Sequence, residues 1–90
     1  MTTTEIEALY AQWELRIWTS GLSDEAMDAI VEEANVIERI IRKAPAATPA
    51  ALLCKAKIAA HYIKEGSVVP YDRHMVKSLV ADLERMARGT

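Results

Sequence analysis

The residues best suited to chemistry are a cysteine, a histidine and a glutamate within one predicted helical segment. Cys54 lies seven residues before His61, and Glu65 lies four residues after it, so all three share one helix face. A thiolate, an imidazole and a carboxylate can together bind a metal ion, but this spacing matches no recognised metal motif. Because cysteine is also among the most often buried residues, we interpret Cys54 and His61 as packing residues and expect no metal and no cofactor.

The same pair does not meet the requirement for nucleophilic catalysis, which is a cysteine or serine beside a histidine. Two helical turns, about 10 Å, separate Cys54 from His61, which is too far for direct proton transfer. The sequence has no glycine-rich phosphate-binding loop, and no glutamate is followed three residues later by histidine, as a di-iron bundle requires. We therefore predict no catalytic residue and a protein that is not an enzyme.

Composition indicates one folded helical domain. The chain has 90 residues, of which 51% are hydrophobic and 27% charged, and only three are glycine. A single cysteine excludes an intrachain disulfide. The N-terminal residues do not resemble a signal peptide, and the longest uncharged stretch, residues 44–54, is too short to span a bilayer. We expect a cytoplasmic protein without membrane contact.

Three groups of helix-breaking residues divide the chain into four amphipathic segments. The groups are Ser20-Gly21, the stretch 44–49 with its two prolines, and Gly66 with Pro70. The pattern predicts helices over residues 5–18, 24–43, 49–64 and 72–88. We expect an all-α fold, a four-helix bundle-like single domain spanning residues 1–90, with short loops and the first two helices antiparallel.

Capping residues set the predicted helix starts. Thr4 and Glu7 have the spacing of a capping box, in which each side chain accepts the other residue's backbone N–H. Ser23 precedes an acidic first turn, and Thr48 precedes a proline at the first helical position. Asp72 is the predicted cap of the fourth helix.

Each segment has an apolar stripe at helical spacing, which predicts its buried face. On the first helix the stripe consists of Ile6, Leu9, Tyr10, Trp13 and Ile17. On the second it consists of Ala26, Met27, Ile30, Ala34, Ile37 and Ile41, widened by Val31, Val36 and Ile40. On the third it consists of Leu52, Leu53, Ala56, Ala59, Ala60 and Ile63. The fourth has the most regular stripe, with Val76, Leu79, Val80, Leu83, Met86 and Ala87 predicted inward.

Two helices carry a second apolar face, and exposed apolar patches with a polar rim usually mark interaction sites. On the first helix this face includes Ala11, Leu15 and Trp18. On the third helix it includes Ala51, Cys54, Ile58 and His61, with Tyr62 at its border. We predict a homodimer joined through helix 1 or helix 3, or contact with another protein. The alternative is that helix 3 is sandwiched inside the bundle, with both faces internal.

Charge is unevenly distributed along the chain. Residues 1–44 have nine acidic and four basic side chains, a net charge of −5, whereas residues 45–90 have four and seven, a net charge of +3. Glu32, Glu33 and Glu38 are expected on a solvated face. Nucleic-acid binding is the alternative function, but +3 is a weak charge for it. Its candidate residues are Lys55, Lys57, Lys64, Arg73 and Lys77.

The middle of the chain resembles a group of small uncharacterised helical proteins of alphaproteobacteria and their prophages. That group shares a Trp on the first helix and an Ile-Glu-x-x-Ile run, which correspond here to Trp13 and to the run that includes residues 37–40. It also shares a Pro-Ala-x-Thr segment and a Leu-x-x-Lys-Ala segment, which correspond to Pro45-Ala46-Ala47-Thr48 and to residues 52–56. Ala51 occupies the position of the glycine usual in that group. The resemblance implies a bacterial or phage origin and a helical fold, and it implies no activity and no catalytic residue.

Overall fold

The computed structural model describes residues 1–64 and 71–89, which form four α-helices and no strand. The helices are α1 (Thr3–Ile17), α2 (Asp24–Lys43), α3 (Pro49–Lys64) and α4 (Tyr71–Arg88). This confirms the predicted all-α class and a small domain of the helical-bundle type. The predicted linker residues Gly66 and Pro70 lie outside the described residues.

The helices form two antiparallel hairpins that pack side by side. Arg16 of α1 contacts Glu33 of α2 near their connection, and Lys55 of α3 contacts Asp82 of α4. Between the hairpins, α1 runs parallel to α3, because Thr3 is hydrogen-bonded to Thr48 at one end and further pairs follow along both helices. The bundle therefore has α1 beside α3 and the end of α2 beside α4.

The starts of α2 and α3 follow their predicted caps. The side-chain oxygens of Ser23 and Thr48 each accept a backbone N–H three residues later, at 3.3 Å. The predicted capping box at Thr4 is wrong, because the box is formed two residues earlier, by Thr2 and Glu5. The predicted cap Asp72 is also wrong, since α4 begins one residue before it.

The core of the first hairpin agrees with the sequence prediction. Ile6 and Trp13 of α1 are buried, and Leu9, Tyr10 and Ile17 pack against the core. On α2 the C-terminal half of the predicted stripe, Ala34, Ile37 and Ile41, is buried. The predicted widening of that stripe is wrong, because Val31, Val36 and Ile40 are exposed.

The buried face of α3 differs from the predicted one, although Ala59 is buried and Leu52 packs against the core as predicted. Ala51, Cys54 and Ile58, expected on a second, outward face, are buried in the core. Leu53 and Ile63, expected in the core, are more than half exposed. The reason is that α3 is apolar nearly all round, so its sequence pattern does not distinguish the face that packs.

The stripe of α4 is also turned away from the protomer core. Met75 is fully buried and Asp82 almost so, with Ser78, Leu79 and Met86 half-buried on the same side. Val76, Val80 and Leu83, predicted inward, are exposed, and so is Ala87. An aspartate therefore occupies an inward position of α4 while the valines face outward, which requires a partner for the buried carboxylate.

Candidate interaction surface

Both helices of the second hairpin expose large apolar side chains. We call this set the outer α3–α4 face, and its members are 39–62% exposed: Leu53, Ile63, Val76, Val80 and Leu83. On α4, the last three lie within about 60° of one another at 100° per residue. They point away from Ser78, which contacts α2, so the face lies on the outside of the bundle.

A buried ion pair fixes the orientation that exposes this face. Lys55 Nζ lies 2.6 Å from Asp82 Oδ2, and the lysine side chain is fully buried. Lys55 also donates to Ser78 Oγ at 2.9 Å, and Ser78 in turn donates to the Arg42 carbonyl oxygen at the end of α2. Arg85 pairs with the second carboxylate oxygen of Asp82. The network holds α4 against both α3 and α2.

The partners of Asp82 keep it ionised despite its burial. Burial alone would raise the pKa of Asp82, but hydrogen bonds from Lys55 and Arg85 and from the Ala46 backbone hold it below its ordinary value. Arg85 also reaches the Ala46 carbonyl oxygen, in the connection before α3. The buried carboxylate is therefore a structural charge with several partners, and no open pocket leads to it among the described cavities.

A second buried carboxylate lies between α2 and α3. Glu38 is buried and accepts a hydrogen bond from Tyr62 Oη at 2.7 Å. Burial raises the pKa of Glu38, against the opposing effects of that hydrogen bond and of Arg42. The expectation that Glu38 lies on a solvated face is wrong, whereas Glu32 and Glu33 are exposed as expected.

An aromatic cluster lies on the other side of α3, where it meets α1. The Trp13 ring centroid is 5.7 Å from that of Tyr10 and 5.5 Å from that of His61, and Trp18 makes an edge contact with His61 at 6.3 Å. A pocket of about 270 Å³ opens beside these rings, with Glu14 and Lys57 also in its lining. Trp13 Nε1 has no hydrogen-bond partner among the described residues.

Two side chains at the contact between α1 and α3, Tyr10 and Cys54, have raised pKa values. Burial and the hydrogen bond to Glu14 raise the pKa of Tyr10 to about 12, so its hydroxyl remains protonated near neutral pH. Burial also raises the pKa of Cys54, assisted by the charge of Glu7, which disfavours the reactive thiolate. The described residues include no group of three His, Cys, Asp or Glu side chains able to hold a metal ion.

The predicted interface residues divide into three sets. Ala11, Leu15 and Trp18 of α1 are exposed, the last two to 71%. Cys54 and Ile58 are inside the protomer, which agrees with the alternative that this face of helix 3 is internal and removes the two residues from the candidate interface. His61 and Tyr62 are half-buried in the aromatic cluster.

The predicted basic residues also separate. Lys55 is unavailable to phosphate, because its ammonium is buried against Asp82, so its assignment to a nucleic-acid surface is wrong. Lys57, Arg73 and Lys77 are exposed, and Lys57 lies over the Tyr10 ring at 5.6 Å. The side chain of Lys64, and all of Glu65, lie outside the described part of the chain.

Sequence reasoning missed the polar residues that position these surfaces: Ser78, Asp82 and Glu38. The available sign was the isolated Asp82 between Leu79 and Leu83, an acidic residue inside the apolar pattern of α4. No helix in the described residues is both long and apolar enough to cross a membrane.

Comparison with known proteins found no match. No protein-family model, no curated protein and no solved structure matches this chain.

Proposed function

We propose that this chain is a non-enzymatic helical interaction protein that self-associates through the outer α3–α4 face. The observation that carries the proposal is the orientation of α4. This helix has a regular apolar stripe, and three large residues of that stripe, Val76, Val80 and Leu83, are exposed in the protomer. A second chain would bury them, since helices of soluble proteins normally bury their apolar stripe.

The amount of exposed surface supports the same proposal. The accessible surface is 5934 Å², about 700 Å² above the roughly 5,200 Å² expected for a monomer of this mass. A standard protein interface buries about 800 Å² on each partner. The excess is therefore comparable to one partner's share of a stable interface, and a short chain gains stability by associating.

A second copy of the chain is the partner best suited to this face. A two-fold dimer is the commonest oligomer, and it needs only one self-complementary patch on each copy. The outer α3–α4 face has an apolar centre, and its open border carries charges of both signs, Lys77 and Glu84. The alternative surface is the patch of Ala11, Leu15 and Trp18 on α1, and it supplies the control.

The test compares Leu83→Glu with Leu15→Glu by size-exclusion chromatography with light scattering. Both variants replace an exposed leucine by the same charge, but only Leu83 lies in the outer α3–α4 face. We expect Leu83→Glu to reduce the mass to one chain while Leu15→Glu retains the parental mass, with unchanged helical circular dichroism for both. The opposite result would move the interface to α1, and a parental mass for both would refute the proposal.

Nucleic-acid binding remains the alternative function. The case for it is weaker, because Asp82 neutralises Lys55, one of its candidate residues. Salt separates the two functions: an apolar interface persists at high salt, whereas phosphate contacts are lost steeply. We also propose a cytoplasmic location and a bacterial or phage origin, the latter on the sequence resemblance alone.

A further inference from the structure

We propose that the dimer forms by antiparallel packing of α4 against the α4 of a second copy, with Lys77 of each copy beside the partner's Glu84. This inference rests on the proposed self-association and adds its orientation and register. It follows from the order of apolar and charged residues along α4 and from the flank of α4 that the protomer leaves open.

The exposed apolar residues of α4 have coiled-coil spacing. Val76, Val80, Leu83 and Ala87 are separated by four, three and four residues, the pattern of two successive heptads. Lys77 follows Val76 directly and Glu84 follows Leu83 directly. The two charges are seven residues apart, so they lie on the same flank of the apolar seam, and both are exposed.

The open flank favours an antiparallel pair. Leu79 and Met86, on the opposite flank of the seam, are half-buried within the protomer. In a parallel pair the charged flank of one helix would meet that half-buried flank of the partner. In an antiparallel pair each flank meets its own equivalent, so the exposed flank with Lys77 and Glu84 meets the same exposed flank.

Charge then selects the register. Three antiparallel registers keep the seam residues facing one another. The first register places Val80 opposite the partner's Val76, and the second places Val80 opposite the partner's Leu83. The third lies one heptad further along and is centred near Glu84. The first would put Lys77 beside the partner's Lys77, and the last would put Glu84 beside the partner's Glu84. Only the middle register, with Val80 facing Leu83, puts Lys77 beside Glu84, twice by symmetry.

Exposed ion pairs contribute little individually, but like charges at the same positions disfavour the competing registers. Glu84 already pairs with Arg88 of its own helix at 3.3 Å, with its side chain largely exposed. That carboxylate can therefore accept a second cation from the partner without being desolvated. The apolar seam would provide the affinity, and the two cross-pairs would provide the register.

A charge-swap experiment tests the register by sedimentation equilibrium at low salt. We expect Lys77→Glu and Glu84→Lys each to raise the dimer Kd by about tenfold, because two attractive pairs become repulsive. The double variant should return to within about twofold of the parent. Lys57→Glu changes the net charge equally at a position on the α1 side of α3, and should leave the Kd unchanged within about twofold.

The outcomes separate the register from the self-association itself. If the double variant stays as weak as the single variants, or the single variants match the parent, this register is wrong, even where Leu83→Glu still gives a monomer. If Leu83→Glu leaves the parental mass unchanged, the outer α3–α4 face is not the interface, and the register is refuted with it. Circular dichroism of each variant verifies that α4 is still helical.

Discussion

The ammonium of Lys55 and the carboxylate of Asp82 form an ion pair closed to solvent between α3 and α4, with 2.6 Å between the paired atoms. The pair connects to the end of α2 through Ser78 and to the connection before α3 through Arg85. It therefore links three helices. By turning Asp82 inward, it also turns the apolar stripe of α4 outward, onto the proposed interface.

Removing Lys55 should be strongly destabilising, since Asp82 would stay buried with only Arg85 and the Ala46 backbone to compensate its charge. We expect Lys55→Met to lower the free energy of unfolding by about 3–5 kcal/mol. Urea denaturation followed by circular dichroism measures the change. The matched control is Lys57→Met, two residues along the same helix but exposed, which should cost less than about 1 kcal/mol. Equal effects of the two substitutions would contradict a structural role for the pair.

Glu38 should make stability depend on pH in a defined direction. Burial raises the pKa of Glu38 in the folded state. Its contribution to the free energy of unfolding is therefore fully present below the pKa of the unfolded state, and it is lost as pH rises through the pKa of the folded state. Glu38→Gln removes the ionisable group and keeps an acceptor for Tyr62. We expect this variant to be more stable than the parent at pH 7, by about 1.4 kcal/mol for each unit of pKa elevation.

The gain should shrink as pH falls through the titration range of Glu38, because the parent then becomes neutral there as well. Denaturant unfolding at several pH values checks this, with the exposed Glu32→Gln on the same helix as control. A Glu38→Gln variant that is less stable than the parent at pH 7 would show that the ionised carboxylate is favoured in the fold.

Two isoleucines of α3 can test which side of this helix packs in the core. Ile58 is fully buried and Ile63 is 62% exposed. We expect Ile58→Ala to cost about 2–5 kcal/mol through lost burial and cavity formation. Ile63→Ala should cost about 0.5 kcal/mol or less within the protomer. Measurements at a concentration low enough to dissociate any dimer isolate the protomer effect. A cost for Ile63→Ala as large as that for Ile58→Ala would contradict this orientation of α3, and a larger cost would support the one predicted from sequence.

The helix boundaries were predictable where one capping residue was available, and ambiguous where several competed. Thr48 has no rival nearby, and Ser23 is marked by the acidic first turn that follows it; α2 and α3 begin directly after these two residues. At the N-terminus, both Thr2 with Glu5 and Thr4 with Glu7 satisfy the capping-box spacing. The sequence pattern alone does not choose between them, and the structure uses the first.

The packing faces were predictable where the large apolar side chains of a helix concentrate on one stripe. On α1 the predicted stripe was confirmed by the burial of Ile6 and Trp13, although this helix also has a second apolar face. On α3 the alanine-rich sequence gives no distinct face. On α4 the apolar stripe is distinct, but the protomer buries the side of the helix that carries Asp82. This is possible because Lys55 neutralises the Asp82 carboxylate. Such a pairing between two helices is invisible to the periodicity of either one.

The central claim is that two copies of the chain associate through an apolar face. Sedimentation equilibrium across a range of concentrations, at low and at high salt, tests it most directly. The account predicts a species of twice the 10.0 kDa chain mass that forms with rising concentration and persists at high salt. A single-chain mass at the highest concentration in both buffers would contradict it.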